Sequence, residues 1–179
     1  MRVAHRLRLL VLFGASPVLG PSPAHAVELA VGFAAIEEGD DRVRPAAAVH
    51  AGFPRDFDGN LYYYGREFGP VKEQTFIVNF VKNWSIFNSN TVTAHFGPCL
   101  MDEKIDVTFD GAESDKSESE DNFNAGAVYG IAWSLPKSGP LFLSVSWDSH
   151  IFAAGINGGL LLSTGRKQAI SLVAGVSLK

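Results

Sequence analysis

Four polar side chains alternate along one short segment of the sequence: Ser144, Ser146, Asp148 and His150. A hydroxyl, a carboxylate and an imidazole are the groups that serve as nucleophile, orienting acid and base in acyl transfer, so Ser146, Asp148 and His150 are the candidate catalytic residues. Side chains two positions apart on a strand lie about 7 Å from each other, too far for a direct hydrogen bond between short side chains. We therefore expect a polar network and predict no catalytic residue.

Three histidines, His50, His95 and His150, occupy inward positions on three different predicted strands. Three imidazoles could bind a metal ion such as Zn²⁺. However, no two of them are close in sequence, and strands spread around a barrel need not bring them together. We therefore predict separate buried histidines, with no metal site and no cofactor.

The segment with the polar residues belongs to a predicted β-hairpin, residues 122–154, with a tight turn at 135–139. Successive side chains of a strand point to opposite faces, and here one face is almost entirely apolar. Ser149 is the only polar residue among these apolar positions. The apolar face consists of Phe123, Ala125, Ala127, Tyr129, Ile131 and Trp133 on the first strand and Leu141, Leu143, Val145, Trp147, Ile151 and Ala153 on the second.

Either face of this hairpin could line a barrel. A soluble, lipocalin-like carrier of an apolar ligand would turn the apolar face inward, whereas a membrane barrel turns it outward. Small side chains on the polar face suit the narrow lumen of eight strands, and aromatic residues near the strand ends suit the membrane interface. The strands are also long enough to cross a bilayer at a tilt. These features favour the membrane barrel.

The same alternation predicts eight strands in all. The sequence does not decide which face of the third strand meets lipid, because Tyr62 and Tyr64 alternate with Leu61 and Tyr63 and both faces are therefore partly apolar. Aromatic residues at a membrane interface would account for these tyrosines without a ligand. Residues 111–121, rich in Ser, Asp and Glu, read as a solvated loop. Besides the hairpin, the predicted strands are residues 28–37, 42–53, 60–68, 72–85, 91–101 and 168–179, with turns at 54–59 and 87–90 and a flexible stretch at 155–159.

The N-terminal residues predict export. Arg2, Arg6 and Arg8 precede a short apolar run, and Ala24-His25-Ala26 forms a cleavage site, as in a secretory signal peptide. We predict a signal peptide at 1–26 and one domain at 27–179. The single cysteine, Cys99, excludes an intrachain disulfide, and a formal net charge of −4 without a basic block gives no reason to expect nucleic acid.

The signal peptide, the eight alternating strands and the apolar last strand resemble the small outer-membrane β-barrels of Gram-negative bacteria, the OmpA-like class. The resemblance covers residues 27–179 and rests on the pattern rather than on a residue motif. It differs at the C-terminus, where the chain ends in Leu178-Lys179 and the class usually ends in an aromatic residue. The resemblance implies an all-β, eight-stranded antiparallel up-and-down transmembrane barrel in the bacterial outer membrane.

A second resemblance concerns the lipid A deacylases, which are eight-stranded barrels with a His-x-Ser-Asn motif on the penultimate strand. His150 matches that histidine in kind and approximate place. Phe152 and Ala153 stand where the nucleophilic serine and the asparagine would be. We therefore expect no deacylase activity.

The expected function is that of a non-enzymatic outer-membrane barrel with a lumen filled by side chains. With an N-terminus in the periplasm, the turns at Pro54, Phe87 and Pro136 lie inside, and residues 111–121 and 155–159 lie outside. The expected role is structural, or interaction at the cell surface through these outer segments. The expected partners are outer-membrane lipid, lipopolysaccharide and the barrel-assembly machinery; the protein is expected to be a monomer.

Overall fold

Eight antiparallel strands close into a barrel in which each strand pairs with its neighbours in sequence, and β8 pairs with β1. The computed structural model describes residues 27–38, 42–86, 89–109, 116–135, 140–153 and 165–178. No helix capable of crossing a membrane occurs in that part of the chain. The strands are β1 (Val27–Glu38), β2 (Arg42–Phe53), β3 (Phe57–Phe68), β4 (Val71–Ile86), β5 (Ser89–Phe109), β6 (Lys116–Ser134), β7 (Leu141–Phe152) and β8 (Gly165–Leu178).

The apolar side of every strand faces away from the barrel axis. Residues on this outer wall are exposed, among them Phe33 at 78%, Phe80 at 50% and Trp133 at 48%. Alternate residues on the same strands, such as Ala34 and Val81, are buried in the lumen. A soluble carrier would show the opposite arrangement. The prediction that the apolar face points outward and the other face lines the lumen is therefore confirmed.

The apolar outer wall has the height of a bilayer core. On β6 it runs from Phe123 to Trp133, ten residues apart, which is about 25 Å along the membrane normal at about 3.3 Å per residue and a tilt of about 40°. This agrees with the apolar band of about 25 Å in outer-membrane barrels. On β5 the outward residues change from Leu100 to Asp102, and Asp102 pairs directly with Phe123. One edge of the band therefore lies at this pair.

The hairpin of β5 and β6 is much longer than predicted. β5 continues eight residues past Met101, and β6 begins at Lys116 rather than Asn122. The prediction of a solvated loop at 111–121 is therefore wrong for residues 116–121. These residues pair with β5 in continuous register, for example Glu118 with Val107, so strand pairing determines their structure despite their acidic composition. We call the end of the barrel at this hairpin the hairpin end, and the opposite end, with Val27 and Leu178, the terminal end.

Other strand bounds differ by a few residues. β3 begins at Phe57 and follows a turn at 54–56, in which Arg55 and Asp56 adopt positive φ angles of 69° and 63°. Ser89 already belongs to β5, so the turn predicted at 87–90 is shorter. β7 ends two residues early, at Phe152, and β8 begins three residues early, at Gly165. The signal peptide, the turn residues 136–139 and the stretch 155–159 lie outside the described residues.

The structure resolves the two faces of β3. Tyr62 and Tyr64 point into the lumen and are 2% and 3% exposed. Tyr63 faces outward and packs on Phe76, with ring centroids 4.6 Å apart. The explanation by interfacial aromatics therefore fails for Tyr62 and Tyr64, because both side chains fill the barrel interior.

Candidate functional site

Among the described residues, chemically reactive side chains meet in the lumen, around the carboxylate of Asp148 on β7. Asp148 is fully buried. Its Oδ1 accepts a hydrogen bond from Nε2 of His95 on β5, at 2.8 Å. Its Oδ2 accepts a hydrogen bond from the hydroxyl of Tyr62 on β3. A buried carboxylate is costly unless its oxygens are satisfied, so this central cluster of Tyr62, His95 and Asp148 is a fully paired group.

Gly130 explains how His95 and Asp148 can meet. The strand register places His95, Gly130 and Asp148 in one row across β5, β6 and β7. A Cβ atom at position 130 would lie 2.5 Å from Nε2 of His95 and 2.9 Å from Oδ1 of Asp148. Only a residue without a side chain leaves room for the hydrogen bond to pass over the middle strand.

The other two candidate catalytic residues have different partners. Nε2 of His150 lies against the amide of Asn79, 3.0 Å from its nitrogen and 3.1 Å from its oxygen. Oγ of Ser146 lies 2.8 Å from Oγ of Ser171 on β8. Within the described lumen, Ser146, Asp148 and His150 therefore form no nucleophile–base pair, because acyl transfer requires a hydroxyl hydrogen-bonded to an imidazole.

A basic and acidic layer lies between the central cluster and the hairpin end. Nζ of Lys167 on β8 donates to the hydroxyl of Tyr64 at 2.6 Å and lies 3.7 Å from Oε1 of Glu103. On the other side, Nε of Arg66 donates to Glu73. The contacts of Lys167 connect β8 with β3 and β5 across the lumen, and the pair of Arg66 and Glu73 joins the adjacent strands β3 and β4.

A similar layer lies toward the terminal end. Nδ1 of His50 is 2.8 Å from Oδ1 of Asn60, and Nε2 is 3.9 Å from Asp58. Asp58 also accepts a hydrogen bond of 2.6 Å from Asn83. Phe142 packs edge-on against the ring of His50, with centroids 6.2 Å apart. Polar pairs and one aromatic ring therefore fill this part of the lumen as well.

The three histidines considered as metal ligands have separate partners: Asn60 for His50, Asp148 for His95 and Asn79 for His150. No group of three or more metal-ligating side chains occurs among the described residues. The described part of the lumen therefore presents hydrogen-bonded pairs in successive layers, and several of these pairs connect different strands of the barrel.

Sequence reasoning missed most of these partners. Tyr62, His95 and Asn79 could be assigned to strands, but nothing in the alternation shows that Tyr62 reaches Asp148, 86 residues away. A usable signal was present on β6, where glycines occupy the inward positions 126 and 130. An inward glycine beside two longer inward residues indicates that those residues meet above it.

No protein-family model and no curated protein sequence matches the chain. Solved structures do match in fold. Ail of Yersinia pestis, in complex with the heparin analogue sucrose octasulfate, superposes with a TM-score of 0.51 and 12% identity, over 86% of this chain and 97% of that one. Neisserial surface protein A gives a TM-score of 0.47 and 16% identity, over 87% and 96%. The N-terminal β-barrel domain of Pseudomonas aeruginosa OprF gives 0.46 and 12%, over 84% and 97%.

At these identities the likeness to Ail concerns the fold alone. The chain has the fold of the small eight-stranded outer-membrane barrels. The predicted all-β, antiparallel up-and-down barrel of this type is confirmed.

Proposed function

We propose that the protein resides in the bacterial outer membrane as a closed, side-chain-filled barrel, without enzymatic activity, and acts through the surface that it presents at the hairpin end. The observation that supports this most directly is that apolar side chains cover the outside of the barrel, which is the opposite of the arrangement in a soluble barrel. Exposed apolar residues surround the barrel, and the buried polar residues, among them the pairs of Asp148 and Lys167, lie in its interior together with buried apolar side chains. Such an outer wall is stable in lipid and would aggregate in water.

The geometry favours this function over deacylation of lipid A. His150 faces the lumen and is fully buried. Phe152 occupies the next inward position and stacks against His150, with ring centroids 6.0 Å apart and planes at 2°. An acyl chain in the membrane therefore has no access to the imidazole, and the position beside it carries no hydroxyl group.

The long hairpin is the part of the barrel best suited to contact other molecules. β5 and β6 continue beyond the apolar band at the pair of Asp102 and Phe123. Past that level the described hairpin residues include six acids and two lysines. This charge favours a basic partner over the polyanion present in the Ail complex. The six acids are Asp102, Glu103, Asp106, Glu118, Glu120 and Asp121, and the two lysines are Lys104 and Lys116.

Cell fractionation combined with gel migration tests the location. We expect the full chain in the detergent-soluble membrane fraction, and we expect it to migrate differently in unheated and heated samples, because a closed barrel resists unfolding by detergent at room temperature. Recovery of the protein in the aqueous periplasmic fraction without detergent would overturn the proposal.

The filled lumen predicts a low ion conductance. Eight strands leave an interior that side chains can fill, and three contacts cross it at successive levels: Lys167 with Tyr64, Asp148 with Tyr62, and the ring of His50 with Phe142. In planar bilayers we expect the purified protein to show no large, stable channel steps. A porin reconstituted in the same bilayers is the positive control, and steady steps of porin size from this protein would contradict the prediction.

The proposed orientation predicts which end accepts a label from outside the cell. Asp106 lies on the long hairpin, and Pro54 lies in the turn between β2 and β3 at the terminal end. In intact cells, a membrane-impermeant maleimide should label Asp106→Cys and should label Pro54→Cys only after lysis. Wild type is the control, since its single cysteine, Cys99, is buried. The reverse pattern would show that the barrel is inserted the other way.

A further inference from the structure

Ser149 is the exception on the apolar outer wall, and the structure shows what lies around it. It faces outward between the inward residues Asp148 and His150, yet its side chain is fully buried. Tyr129 on β6 and Gln168 on β8 pair with it on either side, and its Oγ accepts a hydrogen bond of 3.3 Å from Nε of Arg166 on β8. The guanidinium group is thereby held against the wall of the barrel, while Arg166 as a whole stays exposed.

A second hydrogen bond orients the neighbouring amide. The indole Nε1 of Trp147 donates to Oε1 of Gln168 at 3.3 Å. Because an indole N–H can only donate, the oxygen of Gln168 must face Trp147, and its NH₂ group faces away with its two donors. Tyr129 packs edge-on against Trp147, with centroids 5.9 Å apart, and fixes the indole in turn.

These residues lie at the edge of the apolar band nearest the hairpin end. Along β8 the last outward apolar residue is Ile170, and Gln168 and Arg166 follow. On β1 the outward residues also change from apolar to polar in this row, where Glu37 pairs with Gln168. At such an edge of an apolar band, arginine and glutamine side chains are within reach of lipid head groups.

Arg166 carries a positive charge that is engaged in none of the described ion pairs. Other cations near this end are already paired: Lys72 lies 3.5 Å from Glu67, and Lys104 lies 3.7 Å from Asp106. Arg166 takes part in neither pair. An arginine with its Nε occupied retains the N–H groups of both terminal nitrogens, which suit a phosphate. Glu37 is the one nearby carboxylate in this row of described residues.

We propose that Arg166 and Gln168, oriented by Ser149 and Trp147, form a site on the outer wall for a phosphate group of lipid A in the outer leaflet. This inference rests on the proposed function, because it requires the hairpin end to face the cell exterior. Trp147 and Tyr129 lie next to Gln168 and Ser149 on the same outer wall, where the sugar or acyl part of the glycolipid would contact them.

Native mass spectrometry of the detergent-purified full chain tests the site, with bisphosphorylated lipid A as the probe. We expect Arg166→Gln to weaken binding about tenfold, as for the loss of a charge-assisted hydrogen bond. The matched control is Lys72→Gln, which removes a cation that Glu67 already pairs; we expect a change within about twofold. Equal loss in both variants, or none in Arg166→Gln, would overturn the site.

Two further probes separate the sources of phosphate. Lipid A without its phosphates should bind about tenfold more weakly than the bisphosphorylated form, and inorganic phosphate should not displace the glycolipid. Equal binding of the dephosphorylated lipid, or full displacement by inorganic phosphate, would contradict a glycolipid phosphate site. All variants should retain heat-modifiable migration. A barrel that is membrane-embedded but binds lipid A equally with Arg166→Gln would refute this inference and leave the proposed function standing.

Discussion

Replacing Asp148 by alanine is expected to lower the free energy of unfolding by about 3–5 kcal/mol, the range for removing one partner of a buried charged pair. The substitution leaves His95 and the hydroxyl of Tyr62 buried without their common acceptor, and both side chains come from other strands. Urea unfolding in phospholipid vesicles, followed by tryptophan fluorescence and by gel migration, measures the loss.

The matched control is Asp106→Ala. Asp106 also lies on a strand and pairs with a cation, Lys104, at 3.7 Å, but their side chains are 35% and 50% exposed. Exposed pairs contribute about 0–1 kcal/mol, so the control should unfold almost as wild type does. Asp148→Asn retains an acceptor for Tyr62 and should fall between the two. Equal stability of Asp148→Ala and Asp106→Ala would show that the central cluster does not stabilise the barrel.

Gly130→Ala is expected to lower the free energy of unfolding by about 2–4 kcal/mol, since it combines overpacking with damage to a charged hydrogen bond. The added methyl group would lie 2.2 Å from the carbonyl oxygen of Trp147 and would press on both His95 and Asp148. The strands must shift or the hydrogen bond must lengthen. The same urea experiment measures this effect.

Gly165→Ala is the control for the glycine substitution. Gly165 also lies on a strand, but a Cβ atom there would meet no atom within 4 Å, so we expect little change in stability. Combining Gly130→Ala with Asp148→Ala should cost less than the sum of the two single changes, because both remove the same contact. Strict additivity would show that Gly130 acts independently of the central cluster.

The outer wall could be predicted from the sequence, whereas the pairs in the lumen could not. Alternation on a single strand such as β6 determines which residues face lipid, because the bilayer selects apolar side chains at every second position. The height at which two inward residues meet depends on the stagger of the strands around the whole barrel. The partners of Asp148 lie 53 and 86 residues away in the sequence. A local sequence pattern cannot indicate pairing over such separations.

The acidic half of β6 was missed for a different reason. Its composition resembles that of a disordered segment, and residues 116–121 contain no apolar side chain. Their structure follows from β5, whose Ile105 and Val107 provide a partner strand with backbone groups to be satisfied. Ser149 was recognised as an exception within an apolar face, but its neighbour Arg166 belongs to a different strand and the contact is visible only in three dimensions.

The hydrogen bond between Tyr62 and Asp148 joins β3 to β7, two strands that are not neighbours in the sheet. It can form only after the ribbon of strands has curled so far that these two walls face each other. An unfinished sheet, in which β8 has not yet found β1, would hold a carboxylate without its tyrosine partner. Closure of the ring and satisfaction of the buried carboxylate thus coincide, so this hydrogen bond marks a barrel whose sheet is complete.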